Sequence, residues 1–287
     1  MKSVYTMMLA IFLMGYPQLW ANTKNAESNT EEDVRVMSWN ILFNGWEKGK
    51  HPSWDKRIPG LVKILKKHRP DLVGLQEDGK EQVAYLTRAL PGYSYLDRHQ
   101  KKGGGLLIRT DAWNVIESGK IEIPGRRQAS WALLESTRNS QRWLFYNAHF
   151  VHRSAKNSAG YRMDAAERIA KHMSGYAQDV VPVVFTGDFN ALHDMPCMRY
   201  LAGGSGSPIQ LINAFNSHHG ADDPRGTWRG LGKDHHGERI DHILINKHAV
   251  VQDVEVVYYD ELTGVWPSDH YPMLVTLSEA LSDTGTK

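Results

Sequence analysis

The sequence predicts an α/β fold in which two sheets pack face to face with helices outside. One observation is that strand-rich stretches fall into two halves separated by helical ones, the pattern of layered sheets. The other is a set of five short blocks, spread over most of the 287 residues, that each end a hydrophobic run with a carboxylate, amide or imidazole. These are Ser38-Trp39-Asn40, Gly74-Leu75-Gln76-Glu77, Tyr146-Asn147-Ala148-His149, Thr186-Gly187-Asp188-Phe189-Asn190, and a closing pair, Arg239-Ile240-Asp241-His242 with Ser268-Asp269-His270. A buried strand that delivers a polar residue at its carboxyl end is how α/β proteins place catalytic groups in a crevice. The residue types suit a hard divalent cation and phosphoryl oxygens.

The elements follow in order. Residues 22–33, polar and acidic, read as a disordered lead-in. Residues 34–39 alternate loosely and read as a central strand. Ser53 is placed to cap a helix running through His68, with Ile58, Leu61, Val62 and Leu65 on one face. Pro59 is expected to kink that helix or delay its start. Lys63, Lys66, Lys67 and Arg69 cluster near its end, where cations favour the helix dipole, so this basic run reads as a solvated terminus. Residues 72–76 form a buried strand and 82–90 a helix. Gly103-Gly104-Gly105 lacks the following helix of a phosphate cradle and reads as a turn into a strand at 106–109. Strands follow at about 115–123, 130–135 and 143–148. A helix near 161–173 carries Met163, Ala166, Ile169 and Met173 on one face, and strands at about 182–186, 240–245, 254–259 and 273–277 complete the set.

Ahead of these elements, Lys2, an apolar run from Val4 to about Tyr16, and Leu19-Trp20-Ala21 before Asn22 read as a secretory signal over residues 1–21. The run is shorter than the ~20 apolar residues of a spanning helix, so cleavage is expected rather than stable membrane insertion. One domain is expected over residues 34–280, with a tail over 281–287, because no linker, charge run or internal repeat divides the chain. Cys197 is the single cysteine, which rules out an intramolecular disulfide and a lipidation site near the cleavage point. These features suggest a secreted or periplasmic monomer whose core is large enough to need no staples. The formal net charge is +2, or +1 without Lys2, far from the basic balance of a protein that grips many phosphates.

On these blocks the sequence resembles the endonuclease/exonuclease/phosphatase superfamily, the deoxyribonuclease I-like group, from about Val34 to Leu277. Gly187-Asp188-Phe189-Asn190 and Ser268-Asp269-His270 are the most specific elements. The resemblance implies a four-layer αββα sandwich of two packed mixed sheets with outer helices. It also implies a phosphoesterase dependent on Mg²⁺, for which Mn²⁺ can substitute. Glu77 is then the metal ligand, Asn40 lies beside metal and phosphate, and Asp269 touches the metal directly or through water. His149 donates to a phosphoryl oxygen or protonates the leaving oxygen. Asp188 orients or deprotonates the attacking water, Asn190 binds the scissile phosphate, and Asp241 fixes the tautomer of His270. Either Asp188 or His270 takes the water's proton. The exonuclease III branch has an acidic ligand two residues past the asparagine, where this chain has Leu42, so a single metal is expected.

Arg126-Arg127 is either a phosphate clamp or an ordinary loop, and Trp228 either stacks on a base or sugar or packs in its own loop. Arg126 and Trp228 are the candidate substrate contacts. His218-His219 and His235-His236 lack the spaced partners of a zinc site. The Trp-x-Asp-Arg-Ile-Leu signature of 5-phosphatases and the Tyr-x-Pro-Asn of apurinic endonucleases are both missing. This leaves an exported phosphodiesterase with nucleic acid as the expected substrate, and a phospholipid headgroup or small phosphoester as the alternative. A catalytically inactive binding module of the same fold is disfavoured, because Glu77, Asp188, Asp241 and His270 are all present.

Overall fold

Residues 33–45, 51–96, 104–176, 181–230, 236–259 and 265–280 are described in the computed structural model. The expected signal peptide, nearly all of the lead-in, the tail 281–287, Gly103 and His235 lie outside them. The first part of the chain order is β1 (Val34–Asn40), α1 (Trp54–His68), β2 (Leu72–Gln76), α2 (Lys80–Ala89), β3 (Tyr93–Leu96) and β4 (Gly104–Arg109). Then come β5 (Trp113–Ile123), β6 (Arg127–Ser136), β7 (Arg142–His149), α3 (Ser158–Tyr176) and β8 (Val183–Asp188). The chain closes with α4 (Pro196–Leu201), β9 (Ile212–Asn213), α5 (Ala214–His219), β10 (Asp241–Ile245), β11 (Ala249–Val256) and β12 (Met273–Glu279).

Among the described residues each sheet has six strands, in the orders β11-β12-β1-β2-β4-β3 and β5-β6-β7-β8-β10-β9. At the centre of each lies one parallel pair, β1 with β2 and β7 with β8, while the other neighbours run antiparallel. A parallel pair requires a crossover, and α1 and α3 supply it. The parallel strands therefore deliver their carboxyl ends to one edge of the sandwich, which is where the polar blocks emerge. Val36, Trp39, Leu75, Phe145, Val184 and Ile243 share the larger core with α1 and α2 residues such as Leu61, Leu65 and Leu86. A second core joins Tyr146, Phe185 and Phe189 to Ala166, Ile169 and Met173 of α3 and Met198 of α4. Helices thus cover the outer faces of two packed mixed sheets, as the four-layer reading expects.

Several elements differ from the sequence reading. Gly104 and Gly105 lie within β4 and are buried, so these two glycines form strand and not the expected turn. A Cβ at Gly105 would fall 1.9 Å from Tyr95 Oη and 2.3 Å from Asp78 Oδ2, and one at Gly104 would fall 2.9 Å from Asn147 Nδ2. Glycine is needed there because polar side chains cross the strand face. Pro59 sits inside α1 without delaying it; both Pro59 and Asp55, whose carbonyl loses its partner, are exposed to water. Ser53 occupies the N-cap of α1, but its hydroxyl makes no cap bond. The strand expected at 254–259 runs Ala249–Val256 instead, with a bulge between Val251 and Asp253. Tyr259 lies beyond its end, donating to the carbonyl of His270 at 3.0 Å. Strands β3 and β9 and helices α4 and α5 are additions, too short to carry a periodic signal.

His242 illustrates how β10 divides its residues between two environments. Side chains alternate along a strand, so His242 faces away from Asp241. Its Nε2 lies 2.9 Å from Ala191 O and its Nδ1 3.0 Å from Asn213 Nδ2. Burial outweighs the Ala191 hydrogen bond and lowers its pKa from 6.5 to about 4. The unfolded chain therefore binds a proton that the folded chain refuses between those values. Stability should be complete above pH 6.5 and fall by about 3 kcal/mol on acidification to pH 4, from this group alone. Chemical denaturation across that range should show the slope, and His242→Gln should remove its contribution.

Candidate active site

Each polar block arrives by backbone geometry. Asn40 ends β1, Glu77 follows β2, His149 ends β7 and Asp188 ends β8. Asp241 begins β10 directly opposite Asp188, because their strands are antiparallel in that register. His270 precedes β12 and forms an isolated bridge with Trp228. Eight of the predicted residues, Asn40, Glu77, His149, Asp188, Asn190, Asp241, Asp269 and His270, thus converge on one edge of the sandwich.

Asp188 is the centre. Its Oδ2 accepts from Asn40 Nδ2 at 3.1 Å and lies 3.3 Å from His149 Nε2 and 4.0 Å from His270 Nε2. Its Oδ1 accepts the backbone N–H of Asn190 at 2.9 Å. Burial alone would raise its pKa, but His149, His270 and the Asn190 N–H prevail and hold the carboxyl well below the usual range. Asn190 adopts φ +48 and donates one amide N–H to Phe150 O at 3.0 Å, tying the Asp188 turn to the segment after His149.

His270 Nδ1 lies 2.7 Å from Asp241 Oδ2. Burial works against the imidazolium, yet Asp241, Asp269 and Asp188 together raise the His270 pKa well above its ordinary value. Thr227, fully buried, fixes the aspartate from behind, its Oγ1 accepting the N–H of Ile240 at 3.2 Å and of Asp241 at 3.1 Å. This hydroxyl sits next to Trp228 in sequence but carried no signal of its own.

The residues expected to hold a metal lie beside this centre. Glu77 accepts from Phe43 N at 2.9 Å and Asn40 Nδ2 at 3.3 Å. Burial pushes the Asp269 carboxyl above its usual range, and the like charge of Glu77 adds to this against His270 and His51. Glu77 and Asp269 are two carboxylates whose like charges oppose each other, a pair that suits a hard divalent cation, and Asn40 stands beside them with its Nδ2 turned toward Glu77 and its Oδ1 on Leu42 N–H. Asp188, Asp241 and His270 also lie within 4.8 Å of one another through potential ligand atoms. The short Asp241–His270 contact accounts for that grouping as a hydrogen-bonded pair.

Of the two adjacent arginines, Arg127 is the one that faces the site. Its Nη1 donates to His149 O at 3.0 Å. Burial lowers its pKa against the pull of Asp188 and Glu77. Arg126, expected as a substrate contact, lies on an exposed turn at φ +57 after Gly125 at φ +83, and among the bonds seen here only Arg127 reaches the His149 segment. Trp228 is 37 % exposed on the strand-like segment bridged to His270. Asn147 is not in the site: it bonds Gln76, Thr186, Leu75 O and Gly105 O between the sheets. His219 Nε2 donates to Val254 O at 2.7 Å.

The chain belongs to the endonuclease/exonuclease/phosphatase family, whose pattern matches residues 37–270. That family comprises hydrolases of phosphate ester bonds. Protein angel of Drosophila melanogaster is 24% identical over 177 residues, covering 54% of this chain and 48% of the relative. The chain therefore spans about half of that protein. Rat tyrosyl-DNA phosphodiesterase 2 is 21% identical over 267 residues, 86% of this chain and 68% of its own. Among solved structures, the mannosyl-6-phosphatase of Bacteroides thetaiotaomicron superposes with a TM-score of 0.70 at 21% identity, covering 85% of this chain and 99% of that one. At that identity the superposition speaks for the fold.

Proposed function

We propose that the protein is an exported, Mg²⁺-dependent phosphodiesterase that cleaves single-stranded or flexible nucleic acid. The observation that carries the reaction class is the convergence of the Glu77–Asn40–Asp269 set on the Asp188 carboxylate with its two flanking histidines. When bound, the ion supplies charge neutralisation on the phosphoryl oxygens and stabilises the leaving oxygen. Asp188, held ionised, orients the attacking water and receives its proton. His270, held protonated by Asp241, faces a phosphoryl oxygen as a fixed positive donor. His149 donates from Nε2 beside Asp188, and Arg127 presents its remaining N–H groups to the phosphate. Export rests on the amino-terminal reading of residues 1–21. No helix among the described residues is long and apolar enough to cross a membrane.

The substrate reading rests on the exposed indole of Trp228 beside the reacting groups, and on the near-zero net charge, which suits local rather than extended phosphate contacts. The name of the rat relative points the same way. A panel of single-stranded DNA, RNA, duplex DNA, sphingomyelin and sugar phosphates tests it. Single strands should turn over fastest. Trp228→Ala should raise KM by about tenfold with little change in kcat, as loss of a stacking contact does. Rapid turnover of a lipid or sugar phosphate, with none on DNA or RNA, would move the substrate and leave the mechanism standing.

A further inference from the structure

We infer that Arg57 is the positioning residue of the metal carboxylates, locking together the chain segments that carry them through their backbone carbonyls. The inference rests on the metal assignment proposed above. Arg57 is fully buried on the apolar face of α1, in line with Leu61, Ile64 and Leu65. Its Nη1 donates to Ile41 O and Pro267 O, both at 2.8 Å, its Nη2 to Leu42 O at 3.0 Å and its Nε to Pro52 O at 3.1 Å. Burying a guanidinium is costly, and a bare packing role would be met by a leucine.

The carbonyls belong to the segments that build the site. Ile41 and Leu42 follow Asn40, and the next N–H, that of Phe43, reaches Glu77 Oε2. Pro267 precedes Ser268, whose Oγ donates to Asn40 O at 2.5 Å, and then Asp269 itself. Leu42 at φ +55 and Glu77 at φ +60 hold left-handed backbone that side-chain-bearing residues avoid. Such conformations persist only where the surroundings over-determine them. Asn40 Oδ1 restrains Leu42 through its N–H at 3.1 Å. Gln82 shares the task from α2: its Nε2 also donates to Leu42 O at 3.0 Å, while its Oε1 accepts from Asn44 N at 2.9 Å and Gly79 N at 3.0 Å. Arginine's planar fork reaches several carbonyls in fixed, diverging directions; a lysine ammonium keeps the charge but is a single point donor.

The test compares the full chain with Arg57→Lys, Gln82→Met and Glu77→Ala. Mn²⁺ binding to metal-stripped protein is measured by calorimetry, and turnover of a simple phosphodiester is measured against Mn²⁺ concentration. Arg57→Lys should weaken Mn²⁺ binding by about tenfold to a hundredfold, the scale for groups that orient ligands without touching the metal. Its turnover should recover at saturating Mn²⁺, with KM for the diester unchanged. Gln82→Met should shift binding in the same direction by less, and it decides the matter if Arg57→Lys does not fold. Unchanged Mn²⁺ affinity in a folded variant, or a turnover loss that metal does not restore, overturns the inference. If the unaltered chain binds no Mn²⁺, or Glu77→Ala binds it equally well, the metal assignment itself fails, and the inference with it.

Discussion

Glu77→Ala is expected to fold normally and to lose about a thousandfold or more in turnover, the several kcal/mol that a bound cation contributes to a phosphoryl transition state. Folding should survive because the carboxylate costs the fold as much as it supports it. It accepts the N–H of Phe43, but it sits on left-handed backbone and its charge repels Asp269. Glu77→Gln keeps the shape and one of the two accepted hydrogen bonds while removing the charge, and should be nearly as damaging. Thermal melts and steady-state kinetics on both variants separate the two effects. Turnover within a fewfold of the parent in Glu77→Gln would mean that the charge is not what the reaction uses.

The second large effect concerns Asp241 and His270. With Nδ1 and Oδ2 2.7 Å apart in a buried site, the two form one unit. Alanine at either should cost about 10²–10⁴ in kcat, and the double variant should be little worse than the worse single one. Losses that multiply would show that the residues act separately. The charges around His270 raise its pKa well above the ordinary 6.5, which makes imidazolium its resting form at neutral pH. Turnover should therefore decline as pH rises through that pKa, and Asp241→Asn should move the decline to lower pH.

The parts of the site that were legible in the sequence are those where a strand's hydrophobic run stops at a polar residue. Asn40, Glu77, His149 and Asp188 all announce themselves this way, because the parallel pairs must deliver their carboxyl ends to one edge. The groups behind them were not legible. Thr227 acts through a hydroxyl directed at N–H groups more than ten residues away in sequence. Arg57 left a faint trace as a cation on the apolar stripe of α1, a position that periodicity alone assigns to the core. The glycines of β4 misled because glycine clusters signal turns by conformation, whereas here they make room for Tyr95, Asp78 and Asn147. Choosing between Arg126 and Arg127 needed the turn itself: positive φ at Gly125 and Arg126 aims the second arginine, not the first, at His149.

Removal and return of the metal is the most direct measurement of the central claim. Protein stripped of metal by a chelator, with removal confirmed by elemental analysis, is assayed on a simple phosphodiester before and after addition of Mg²⁺ or Mn²⁺. The proposed mechanism predicts no turnover in the stripped protein and its restoration by either ion, because Asn40, Glu77 and Asp269 leave the phosphoryl charge to a cation. Full turnover in the confirmed metal-free protein would contradict it.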